Sequence, residues 1–94
     1  MSIIVVAEIP GGTAEQDDAM LKELNIESDP PQGSRFRVAG PTEGGWRIIS
    51  VWDSQEAFDT FRRERLEPAL KKAGRQPPQI NTWPVHTILN FPVG

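Results

Sequence analysis

The residues of this chain that can do chemistry are few. His86 is its single histidine and the only side chain whose ordinary pKa lets it exchange protons near neutrality. Trp46, Trp52 and Trp83 offer flat apolar faces with one N–H donor each, which is much indole for a core this small. Trp46, Ile48, Ser50 and Trp52 fall on alternate positions of one stretch, so a strand there puts all four on one face. Arg37, on the neighbouring arm of a hairpin, is the cation best placed to hold an anionic or enolate oxygen. A dry aromatic pocket with one base is what these residues can build, and Arg37, Trp46, Ile48 and Ser50 are its candidate substrate contacts. For His86 two roles stay open, a proton carrier in the pocket or a hydrogen-bonded structural residue. For Trp46 and Trp83, core or dimer packing stands beside a pocket role, and for Arg37 a place on the surface edge of the sheet stands beside it.

Other chemistries are excluded by what the sequence lacks. Without cysteine there are no disulfides, thiol nucleophiles or thiolate metal sites, and one imidazole with no carboxylate at ligand spacing does not hold a metal. Ser50 and His86 lie on different predicted strands, and no serine sits in a nucleophile turn. The glycine-rich GPTEGG run (40–45) leads into a strand rather than a helix N-terminus, so it reads as a hairpin turn and not a phosphate loop. A net charge of −3 argues against a nucleic-acid or anionic-membrane surface, which needs clustered cations. No apolar run approaches the roughly 20 residues of a membrane span, and Ile3 to Ala7 lacks the basic start of a signal peptide. The expectation is a soluble, cytoplasmic protein.

Ninety-four residues make one domain, 1–94, about large enough for a sheet and two helices. Ser2 to Ile9 is a nearly unbroken run of β-formers, as in a central strand. Thr13 with Gln16 matches a capping box, and a helix follows to Leu24 with Ala19, Met20 and Leu24 inward and Glu15, Asp17, Asp18 and Lys22 toward water. After a proline-bearing loop, Arg35 to Ala39 alternates arginine with apolar residues, as suits a sheet edge. The Trp46 strand comes next. Asp53 and Glu56 then read as the capping pair of a second helix with Ala57, Phe58, Phe61 and Leu66 inward, and Pro68 predicts a break near Leu66 and Glu67. Gln79 to Phe91 reads as one long last strand, confined to an edge by Pro84, with Ile80, Thr82, Pro84, His86 and Ile88 on one face if the register is simple.

The order β-α-β-β-α-β predicts a ferredoxin-like, four-stranded antiparallel sheet with both helices on one face. The other face is left bare. This reading assigns Ile3, Val5, Trp46, Ile48 and Trp52 to it, more apolar area than a monomer exposes, so a homodimer through the sheet is expected.

The topology, the VWDSQEAFDTF segment and the WPVH run resemble the dimeric α/β-barrel proteins, a group that includes antibiotic-biosynthesis monooxygenase-like domains and many uncharacterised small bacterial proteins. The likeness runs from Ile3 to Leu89. It implies two sheets closed face to face into a dimeric α/β barrel, with a ligand space between sheet and helices in each subunit. Members oxidise polyketides without a cofactor, degrade haem, decompose chlorite or have no known activity. In several of them the tryptophan of the W-x-S-x-x-x-F segment lines the pocket, and Trp52 matches it. Trp52 and His86 are thus the candidate catalytic residues. The haem-degrading branch has a histidine ten residues after that tryptophan and an asparagine on the first strand, where this chain has Arg62 and Val5. The implied function is a small-ligand-binding barrel, with cofactor-independent oxygenation of an aromatic or enolisable substrate as its activity. The alternative is a non-catalytic dimerisation or ligand-sensing module of the same fold.

With no cysteine, metal-ligand cluster or dinucleotide motif, the purified protein is expected to carry no flavin, nicotinamide or stoichiometric metal. Visible absorbance, or about one metal per subunit by elemental analysis, contradicts this.

Overall fold

Alternation of apolar residues gives a strand two faces, and the fold depends on what covers each. In the computed structural model, which describes residues 1–92, the chain runs β1 (Ile3–Pro10), α1 (Ala14–Leu24), β2 (Ser34–Thr42), β3 (Gly45–Trp52) and α2 (Gln55–Phe61). A π-helical turn (Arg62–Leu66), α3 (Glu67–Lys72) and β4 (Gln79–Pro84) follow. Residues 93 and 94 of the expected domain lie outside the described residues. All strand pairs are antiparallel, in the order β2-β3-β1-β4. The arginine-bearing β2 and the proline-bearing β4 are the edges, as their patterns require. This is the expected ferredoxin-like sheet with its helices on one face. No described helix is long and apolar enough to cross a membrane.

Register fixes the faces, and it reverses one expectation. Val5 pairs with Ser50 and Ala7 with Ile48, while Trp52 packs with Ile3, Val5 and Phe58 in the core. The face carrying Ile3, Val5, Trp46, Ile48 and Trp52 is therefore the helix-covered face, not the bare one. Ile4, Val6, Ile49, Val51, Phe36, Val38 and Trp83 take the opposite side, where no helix lies. Phe36, Val38 and Trp83 are each about half exposed, at 53%, 50% and 50%. Alternation is symmetric, so on its own it shows two apolar faces without telling which one the helices take.

The helix ends were partly legible. Thr13 caps α1 by accepting from the Gln16 amide at 3.2 Å, and Asn25, in the left-handed region at φ 55°, ends it. For α2 the cap is Ser54, whose Oγ accepts from the Ala57 amide at 3.0 Å, and not Asp53, which instead accepts from Arg35. Pro68 causes no break. The backbone stays helical through Leu66 and Glu67, and the wider π turn, with Glu67 N–H donating to the Arg62 carbonyl, accommodates the missing proline donor.

The last strand is shorter than its β-rich sequence predicts. Pro84 pairs with Ile3, the first residue of β1, so beyond it the edge strand has no neighbour to pair with. One further bond, from Val85 N to the Ser2 carbonyl at 2.9 Å, ends the ladder. His86 and Ile88 thus do not extend a strand face, and residues 86–92 are exposed without regular structure.

Candidate functional site

Polar links tie α1 to β2, to the π turn, to α3 and to the segment after it. Arg37 on β2 donates to Asp17, Arg75 Nη1 to the Gln16 carbonyl at 3.3 Å, Arg65 to the Leu24 carbonyl, and Lys72 Nζ to Glu23 Oε1 at 2.9 Å. The last bond, with the charge of Glu23, raises the Lys72 ammonium above its ordinary value. Beneath α1, between it and the sheet, lies a cavity of about 380 Å³. Protein interiors have few voids larger than a water molecule, so a space of this size in so short a chain is a built feature.

Its floor is β1 and β3, through Val5, Ala7, Trp46, Ile48, Ser50 and Trp52. Trp52 is buried because its N–H is satisfied, donating to Ser50 Oγ at 3.0 Å. The indole meets Phe58 edge-on with centroids 5.4 Å apart and Phe61 tilted at 5.1 Å, which joins β3 to α2. Trp46 Nε1 is buried with no acceptor among the described residues. The roof comes from α1 through Gln16, Asp17, Met20 and Leu24, and the far wall from Leu66 and Leu70. Among the described residues no group of three or more His, Cys, Asp or Glu is placed to hold a metal ion.

The Asp17–Arg37 pair is the most buried ionic contact described, with side chains 8% and 29% exposed. An ionised carboxylate is tolerated in such a place only with a partner of this kind.

Five of the six residues singled out from sequence thus meet around one space: Trp46, Ile48, Ser50, Trp52 and Arg37. His86 is exposed on the irregular segment after β4 and does not line the cavity. Sequence reasoning assigned Asp17 to water and missed Arg75. The signal for Asp17 was its spacing, because 17, 20, 21 and 24 recur at three-to-four intervals and place an acid in the apolar stripe. Ala19, expected in that stripe, is exposed. Arg75 carried no comparable signal, being one cation after a helix-ending glycine.

No family model matches the chain, and no curated protein matches it. Solved structures do. Rv0793 from Mycobacterium tuberculosis superposes with a TM-score of 0.71 at 13% identity, covering 96% of this chain and 100% of that one. SnoaB, a cofactor-independent oxygenase from Streptomyces nogalater, gives 0.63 at 11% identity over 94% and 95% of the two chains. A Bordetella bronchiseptica protein assigned to the antibiotic biosynthesis monooxygenases gives 0.65 at 15%, over 94% and 98%. At these identities the likeness is one of fold. It is the ferredoxin-like subunit fold that the sequence resemblance implies.

Removing the acceptor from the guanidinium of Arg37 should be costly. Asp17→Ala is expected to lower stability by about 2 kcal/mol, read as a lower urea midpoint at unchanged slope. In an Arg37→Ala background the same change should cost less than about half as much. Equal costs in the two backgrounds contradict the coupling.

Proposed function

We propose that the protein is a homodimer that binds a small planar molecule, aromatic or enolisable, in the space between its sheet and α1. The observation that carries the binding is the cavity. Its volume of about 380 Å³ and its mostly apolar wall, with a few polar groups converging on it, fit a small-molecule site. Trp46 and Trp52 supply flat faces, and Ile48 supplies apolar contact. Ser50 accepts from Trp52 and keeps its own hydroxyl hydrogen for a ligand oxygen, while Arg37 brings a guanidinium edge.

Within this reading the reaction to seek is oxygenation without a cofactor, the activity named for SnoaB. A substrate rich enough in electrons reduces dioxygen itself: R₂CH₂ and O₂ give R₂C=O and H₂O, the ligand carbon losing two hydrogens to water. One observation favours the second reading, a non-catalytic ligand-sensing module. His86, the proposed base, is not in the cavity of its own chain, and Asp17, the only carboxylate in the wall among the described residues, is engaged by Arg37. Dioxygen consumption by protein and ligand together decides between them.

The homodimer rests on the open sheet face. Its apolar residues run from Phe36 and Val38 across Ile49 and Val51 to Ile4, Val6 and Trp83; Val51 is buried among its neighbours, while Phe36, Val38 and Trp83 stay about half exposed, and no described helix lies over this face. A second copy presents a matching surface by symmetry. Glu8 and Arg47 pair across the strands at one border of this face and mark where the apolar area ends.

Two results follow. Ile49→Arg, at the centre of the open face, should turn a light-scattering dimer into monomer or aggregate, since burying an unpaired charge costs several kcal/mol. A wild-type chain that is monomeric at micromolar concentration contradicts the dimer. For a hydroxylated aromatic found by screening, Trp fluorescence should quench on binding, and Trp52→Phe should weaken it by about 1 kcal/mol through lost stacking area. An unchanged affinity removes Trp52 from the site.

A further inference from the structure

Among the described residues three charged ones line the cavity, Asp17, Arg37 and Arg75. The first two are in direct contact and cancel, which leaves the guanidinium of Arg75 as the wall's uncompensated charge. Arg75 has no carboxylate partner among the described residues, and its one described side-chain bond goes to a neutral acceptor, the Gln16 carbonyl, at 3.3 Å. A guanidinium carries five N–H donors, so most of its hydrogen-bonding capacity is unspent. The site runs against the chain as a whole, whose net charge is −3.

The chain also holds Arg75 in place. Gly74, at φ +69°, ends α3 in the left-handed conformation that glycine adopts without strain. The Gly74 amide then donates to the Lys71 carbonyl at 3.1 Å and the Arg75 amide to the Leu70 carbonyl at 2.9 Å, the two bonds of a helix-closing turn. On the other side, Pro77 and Pro78 fix the backbone and themselves line the cavity. A cation held at an apolar wall is attracted to an anion more strongly than one in water, and its planar fork matches a carboxylate.

We infer that the cavity selects an aromatic carboxylate and that Arg75 is the residue that binds its anionic group. This rests on the reading of the cavity as a ligand site. It gives Arg37 a different part, since Asp17 already occupies that guanidinium.

Isothermal titration of the full chain with 2-naphthoate and its neutral isostere 2-naphthamide tests it. The wild type should bind naphthoate at least about tenfold more tightly than naphthamide, the scale of one hydrogen-bonded charge. Arg75→Gln should abolish that preference while leaving naphthamide within about twofold, and Arg75→Lys should keep part of it. Naphthamide binding with no preference for naphthoate overturns the inference and leaves the cavity reading standing. Neither probe binding overturns both. A preference that survives Arg75→Gln overturns the assignment to Arg75, and since the wild-type comparison needs no variant, poor folding of Arg75→Gln does not shield the inference.

Discussion

Trp52 determines where the helical layer sits. Its indole leaves β3 on the helix-covered face, spends its N–H on Ser50 two residues back, and meets the rings of Phe58 and Phe61. With its donor satisfied, the indole is buried without the cost of a lost hydrogen bond. Between β3 and α2 stand only Asp53 and Ser54, and Ser54 caps the helix at once. The position of α2, and through the π turn that of α3, is thus set from the last residue of β3.

Toward the other end of the sheet, the links to α1 are polar. Guanidinium groups from β2, from the π turn and from the segment after α3 reach a carboxylate or carbonyl on α1. Long side chains joined at their tips hold two elements apart as well as together, whereas interdigitated apolar side chains would draw them into contact. The cavity is the result of this difference. The same links bring charge to its wall.

Much of the fold was legible in the sequence. Alternation in Trp46 to Asp53, the Thr13 and Gln16 pair, and the arginines and prolines of the edges give the elements and the strand order. The assignment of faces was not, because two apolar faces look alike in a sequence. Ile3, Val5, Trp46, Ile48 and Trp52 went to the wrong side for that reason, although Ser50, an acceptor on the same face as the Trp52 N–H, hinted at a buried indole. The cavity floor was legible as a set, since Trp46, Ile48, Ser50 and Trp52 share a face whichever side it takes. Asp17 was hidden by the habit of sending acids to water, and its partner lies 20 residues away on another element. The length of β4 was hidden as well, because it is set by where the ladder with β1 stops, at Ile3 with one further bond from Val85 N to the Ser2 carbonyl.

Binding between the layers is tested most directly by heteronuclear NMR of the three indole N–H groups. Trp46 and Trp52 line the cavity, and Trp83 lies on the open face. Titration with 2-naphthamide should shift the Trp46 and Trp52 signals together and leave that of Trp83 in place. A shift of Trp83 alone, or no shift of any of the three at millimolar probe, contradicts a ligand site between sheet and helices.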